Sequence, residues 1–219
     1  MIQIHSITGG VASTNAYLIA DDASKQAVIF DAPDHSIQPL LDVAKRNGYD
    51  LIGLWLTHGH FDHMADHAEV KAAFPKAKIL IHPLDGPKLR SPGVQTRMFM
   101  LPFTIPPCEP DELIEDGQVL KLGEMEVKVI HTPGHAPGHV MYWFESEKIL
   151  IGGDLIICGA VGRTDFPDCS EPALRESIKK VYQMCPNETQ LLPGHCEVTT
   201  LGDERVGNDY VRAVLRANG

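Results

Sequence analysis

No apolar run in the chain approaches the roughly 18 consecutive residues that a membrane-spanning helix needs. The opening MIQIHSITGG has neither the basic start nor the apolar stretch of a secretory signal. A cytoplasmic protein without a membrane partner is expected. The cysteines form no framework: Cys108, Cys158, Cys169, Cys185 and Cys196 are odd in number, scattered, and lack C-x-x-C spacing. That usage suits reduced thiols rather than disulfides. Positive charge is also short, with 19 Lys and Arg against 29 Asp and Glu for a net charge of −10. Nucleic-acid affinity rests on clustered Lys and Arg, so no nucleic-acid partner is expected. Linkers, low-complexity tracts and repeats are missing too. A chain of 219 residues at 43% hydrophobic content is then expected to form a single domain over 1–219.

What is present is a series of short apolar strands with fewer helices. Strands are predicted at Ile2–Ile7, Ala16–Ala20, Ala27–Asp31, Leu51–Thr57, Lys78–His82, Val119–Leu122, Glu126–His131, Val140–Glu145, Ile149–Gly153 and Gln190–Leu192. Helical spacing runs through SIQPLLDVAKRNG, MADHAEVKAAF, Glu171–Met184 and Asp203–Ala217. Residues 83–110 hold seven of the sixteen prolines and read as a long irregular segment, expected to cover one side of a functional site.

Directly after the apolar LIGLWL comes THGHFDHM, residues 57–64, an H-x-H-x-D-H pattern. Neutral imidazole and carboxylate are ligands that zinc, iron and manganese share, and four such groups within six residues make a dense donor source. A polar loop that merely caps the next helix, with Asp62 as N-cap, is the plainer alternative. Three further stretches weigh against it. HTPGHAPGH (131–139), IGGDLI (151–156) and LLPGHCE (191–197) each place a His or Asp after an apolar strand beside glycine, where α/β sheets gather site residues.

His58, His60, Asp62, His63, His135, Asp154 and His195, in this order and at these separations, resemble the metallo-β-lactamase superfamily. GRTDFP (162–167) and TTLGDE (199–204) are similar to its glyoxalase II-like branch of hydroxyacylglutathione hydrolases. The resemblance covers essentially the whole chain. It implies an α/β fold, an αββα sandwich of two mixed β-sheets flanked by helices. It also implies two divalent metal ions, zinc by first expectation with iron or manganese as alternatives. On that reading His58, His60 and His135 hold one metal, Asp62, His63 and His195 the other, and Asp154 bridges both. A hydroxide between the metals then attacks a thioester such as S-D-lactoylglutathione, with Asp62 as the catalytic carboxylate. The larger members carry a histidine pair where this sequence has Gly59 between His58 and His60, and they append a helical C-terminal domain that holds glutathione. This chain is expected to lack that domain.

The alternative reading keeps most of these donors. Persulfide dioxygenases also carry a GRTDF stretch but use one iron, here on His58, His135 and Asp154. Their last histidine stands in a P-A-H context rather than LPGH, which favours the hydrolase. A lactonase, a tRNA-processing nuclease and a non-catalytic metal binder rank lower, the nuclease because of the acidic charge.

Among the other polar residues, Asp31 at the end of AVIFD resembles the family's strand-end aspartate that props the metal loop. His139 reads more readily as a satisfied core or surface residue than as a site residue, and Cys196 as an inert packed thiol pointing away from His195 in an extended segment. Arg163 suits either an anionic substrate or an ion pair with Asp165.

Overall fold

The structure, a computed structural model, describes residues 1–217. In chain order the first elements are β1 (Ile2–Gly9), β2 (Thr14–Asp21), β3 (Gln26–Phe30), α1 (Gln38–Asn47), β4 (Asp50–Trp55), α2 (Phe61–Met64) and α3 (His67–Ala73). They are followed by β5 (Lys78–Ile81), α4 (Gly86–Arg90), α5 (Gly93–Met98), β6 (Glu112–Leu113), β7 (Val119–Leu122), β8 (Met125–His131) and β9 (Val140–Phe144). The last are β10 (Ile149–Gly153), β11 (Ile156–Ile157), β12 (Ala160–Val161), α6 (Glu171–Met184), β13 (Gln190–Pro193), β14 (Thr199–Thr200), α7 (Leu201–Gly207) and α8 (Asp209–Arg216). Contacts group the chain into two compact units, Met1–Ile114 with Lys121–Met125, and Glu115–Leu120 with Glu126–Gly219.

Two six-stranded sheets carry the fold, ordered β1-β2-β3-β4-β5-β6 and β14-β13-β10-β9-β8-β7, and β11 and β12 form a small hairpin. Both large sheets are mixed, as expected. In the first, β1, β2 and β3 run antiparallel and β3 to β6 parallel. In the second, β8, β9 and β10 alternate in direction while β10 and β13 are parallel. Parallel neighbours need crossover helices, and α1 and α3 serve β3–β4 and β4–β5. Each unit buries its own apolar cluster, one around Leu18, Ile29, Leu41, Leu54 and Ile79, the other around Met141, Leu150, Leu174, Ile178 and Val211. Among the described residues no helix is long and apolar enough to cross a membrane.

Three predicted elements differ. The helical run MADHAEVKAAF begins as α2 and breaks at Ala65–Asp66 before α3. Asp66 is drawn out of the helix because its carboxylate accepts hydrogen bonds from the backbone N–H groups of His35, Ser36 and Ile37, at 2.8, 2.9 and 3.1 Å, just ahead of α1. The last helix likewise splits at buried Asn208, which adopts an extended backbone. Its Oδ1 accepts from the Tyr210 and Val211 N–H groups while its Nδ2 donates to the Ala160 carbonyl. Residues 83–110, expected to be irregular, contain α4 and α5, with Pro87 in the first turn of α4 and Pro92 as the N-cap of α5. Proline fits there because the first turn has no use for its missing N–H.

His67 illustrates what burial does to a titrating core group. Desolvation lowers its pKa from the ordinary 6.5, and its Nδ1–H donates to the Met64 carbonyl at 2.9 Å. The folded chain keeps the ring neutral while the unfolded chain takes up a proton near pH 6.5. This contribution is therefore fully present above that pH and lost as pH falls below it. Denaturant unfolding of wild type and His67→Gln between pH 7.5 and 5 should show a steeper loss in the wild type; parallel curves would contradict the assignment.

Candidate metal centre

Every residue of the expected donor set follows the C-terminal end of a strand. Asp31 comes after β3, and Thr57 to His63 come after β4. His135 lies beyond β8, Asp154 directly follows β10, and His195 lies just beyond β13. Such ends are where open α/β sheets place their ligands.

In the first unit the structure brings His58, His60, Asp62 and His63 together, all buried. The His58 Nε2 and His60 Nδ1 atoms are 3.0 Å apart, and His63 Nε2 lies 3.4 Å from Asp62 Oδ2. Two nitrogens on one tetrahedral zinc at about 2.0–2.1 Å stand about 3.3 Å from each other, so a small parting of the hydrogen-bonded His58 and His60 rings would let them share a cation. Asp62 is not an N-cap: His60 precedes α2 without any side-chain capping bond, and Asp62 Oδ2 accepts the Thr14 hydroxyl at 2.6 Å.

The rear of this loop is held by Asp31. Its Oδ1 accepts the Thr57 N–H and its Oδ2 accepts both the Thr57 hydroxyl and the His63 Nδ1–H, each at 2.8 Å. Because the Thr57 hydroxyl proton is directed to Asp31, its oxygen accepts from His58 Nδ1–H at 3.0 Å. The network thus assigns the Nδ1–H tautomer to both His58 and His63 and turns each Nε2 lone pair toward the site. Asp31 meets its expectation, at the cost of a left-handed backbone with φ 60°.

Residues 83–110 grip the same loop. The Gln95 carboxamide, on α5, accepts from the Phe61 N–H at 2.9 Å and donates to the Gly59 carbonyl at 2.8 Å, so it brackets His60 from both sides. Asp85 accepts the Gly59 N–H at 2.7 Å. A Cβ at Gly59 would sit 3.0 Å from the Asp85 carbonyl oxygen and 3.0 Å from Lys88 Cβ, so a histidine here would force this segment outward. The segment expected to be a cover supports the loop, a role that sequence reasoning missed; only the tertiary contact reveals Gln95 and Asp85.

In the second unit His135, Asp154 and His195 come together around one oxygen. Asp154 Oδ2 lies 3.4 Å from His135 Nε2 and 3.3 Å from His195 Nε2. His135 Nδ1–H donates to the Arg163 carbonyl at 2.8 Å, so this ring too presents Nε2. A Cβ at Gly162 would collide with the Asp154 carbonyl, which explains the glycine beside Arg163. The Arg163 side chain itself is exposed and chelates Asp165 through two 2.6 Å bonds, the ion-pair alternative.

Two readings need correction. His139 is not a bystander: its Nε2 accepts the Asp154 N–H at 2.9 Å, which forces the proton onto Nδ1, where it donates to Thr132 Oγ1 at 2.8 Å. The H-x-x-x-H spacing from His135 signalled that His139 lies near the site, but not that Asp154 is its partner. Cys196 is exposed, and its segment is not extended, since its φ is 66°. The left-handed turn after His195 brings the thiol to the surface instead of packing it.

Burial pushes the Cys185 thiol up to about 12 and raises Cys108 and Cys158 as well, so these thiols are protonated at neutral pH and make poor nucleophiles. The Tyr17 phenol is also held well above its usual range, by burial first, which removes it as a base.

Residues 9–195 match the metallo-beta-lactamase superfamily, and the chain belongs to that family. Its members are generally metal-dependent hydrolases, and the fold binds divalent metals. A hydroxyacylglutathione hydrolase, GloC, of Haemophilus influenzae is 31% identical over 91% of this chain and 93% of its own length. The crystal structure of the BLEG-1 B3 metallo-beta-lactamase superposes with a TM-score of 0.87 at 31% identity, covering 95% of this chain and 99% of that one. A di-iron-bound form of TTHA1623 gives 0.82 at 33% identity over 94% and 99% of the two chains.

Gln95 offers a direct test of the loop's support. Gln95→Ala leaves the buried Gly59 carbonyl and Phe61 N–H without their partner, at about 1–3 kcal/mol each. The unfolding free energy should fall by about 3 kcal/mol, and Gln95→Glu should not restore it, because a carboxylate can accept from Phe61 but repels the Gly59 carbonyl. Full recovery by Gln95→Glu would show that the donated bond is unimportant.

Proposed function

We propose that both donor sets serve one dinuclear centre of a thioester hydrolase acting on a small, glutathione-linked substrate such as S-D-lactoylglutathione. The observation that carries the reading is the donor chemistry, four imidazoles or carboxylates in H-x-H-x-D-H and three more at strand ends, together with 31% identity to a hydroxyacylglutathione hydrolase across nearly all of that relative. That the superfamily match runs unbroken over residues 9–195 supports treating both sets as one site and the chain as one catalytic domain. His58, His60 and His135 would hold one cation, Asp62, His63 and His195 the second, and Asp154 would serve both. Zinc suits the donors, as does iron, which the TTHA1623 relative binds.

When bound, two divalent cations polarise the thioester carbonyl and make a water acidic enough to attack near neutral pH. The chain's own residues do the rest. Asp62, steadied by the Thr14 hydroxyl, orients the attacking water and takes its proton. Asp31 and Thr57 keep the His58 and His63 rings in the tautomer that offers Nε2 forward. His139 holds the backbone of Asp154 so that its carboxylate stays between His135 and His195. Cleavage of the C–S bond then releases a thiolate, a good leaving group that requires no strong acid from the protein.

Metal counting on purified wild type and Asp62→Ala, paired with assays of lactoylglutathione cleavage and of persulfide-dependent oxygen consumption, tests this. The wild type should carry two metals and cleave the thioester, and Asp62→Ala should lose one metal and about 10²–10⁴-fold in rate. One iron per chain with oxygen uptake would overturn the hydrolase in favour of a persulfide dioxygenase.

A further inference from the structure

A cavity of about 600 Å³ opens on the second unit, lined by Arg205, Val206, Arg212, Leu215 and Arg216 of α7 and α8. We propose that it binds a small phosphorylated molecule with an apolar substituent, the phosphate against the three guanidinium groups and the apolar part on Val206 and Leu215. The site is separate from the donor residues and does not depend on the hydrolase reading.

The arginines are short of carboxylates although the chain is strongly acidic. Asp203 is occupied at the start of α7, where it accepts the Thr200 hydroxyl at 2.7 Å. Glu204 is buried and accepts from the Gly159 N–H, the Thr199 hydroxyl and Asn208 Nδ2. Asp209 alone pairs with one of the three, Arg212, at 2.9 Å. Arg205 lies over the Tyr182 ring at 4.8 Å. Among the described residues neither Arg205 nor Arg216 has a carboxylate within ion-pair distance.

The plain explanation is that arginine in the last turn of a helix offsets its carbonyl dipole, and Arg205 and Arg216 stand in such turns. Arg212 stands outside the last turn of α8 and is paired with Asp209. It precedes Arg216 by one helical turn, and like charges at i and i+4 repel, so the pair raises the energy of an isolated helix. An anion in the cavity converts that repulsion into attraction.

Three guanidinium groups less one aspartate leave two positive charges, which match the charge of about −1.5 to −2 on a phosphate monoester at neutral pH. The planar forks of arginine also suit phosphate oxygens bidentately. Beside them Val206 is 74% exposed, an apolar surface that a substituent would take out of water.

Titrating the metal-loaded full chain at low ionic strength with phenyl phosphate, inorganic phosphate and citrate tests the proposal, low salt being chosen because screening weakens surface ion pairs. Phenyl phosphate should bind one per chain, about tenfold more tightly than inorganic phosphate. The double variant Arg205→Gln/Arg216→Gln should weaken it by about tenfold or more while leaving thioester cleavage unchanged. Equal binding of phenyl and inorganic phosphate would overturn the apolar contact, and equal binding of citrate the phosphate assignment. No saturable binding, or binding that survives the double variant and disappears when metal is removed, would overturn the site itself.

Discussion

Asp31 takes a left-handed backbone at the end of β3 so that one buried carboxylate can reach the Thr57 N–H, the Thr57 hydroxyl and His63 Nδ1 at once. The first donor set depends on this contact. It joins the ends of two adjacent parallel strands, β3 and β4, at the point where the chain leaves the sheet. The Ala32 N–H also donates to the His63 carbonyl at 2.7 Å, so the two loops are tied by backbone as well. A non-glycine residue in this conformation is costly, and such strain persists where surrounding bonds over-determine it.

The second set follows the same logic with different parts. A backbone carbonyl, that of Arg163, takes the place of the Asp31 carboxylate behind His135, and a neutral imidazole, His139, holds the Asp154 N–H. Behind the rings of His58, His63 and His135 an acceptor engages Nδ1–H, which leaves the Nε2 lone pair in front. A metal ligand whose tautomer and orientation are fixed beforehand loses little freedom on binding.

Residues 83–110 show how a proline-rich segment can be both irregular and structural. Phe99, Leu101 and Phe103 pack with Phe61, Ala65 and Ile105, while Gln95 and Asp85 take the polar backbone groups around Gly59 and His60. Apolar packing and these hydrogen bonds thus meet at the start of one short helix, α2. Gly59 lets Asp85 and Lys88 come this close, and a side chain there would separate the donor loop from its support.

The sequence by itself determined ten of the fourteen strands among the described residues, because apolar runs of four to eight residues bounded by polar residues and glycine are local signals with a fixed physical meaning, and the fold class through the likeness of its His and Asp motifs to a known family. Asp31 was legible through the same likeness, as the counterpart of the family's strand-end aspartate. Only the tertiary structure decided the rest. Asp66 breaks a helix of good local spacing because three N–H groups some thirty residues earlier need an acceptor, and Asn208 does so because it caps α8 and reaches Ala160. Gln95 and His139 acquire their roles from partners 34 and 15 residues away. A hydrogen bond between distant residues leaves no period or spacing in the chain, so its partners become known only when the backbone brings donor and acceptor within reach.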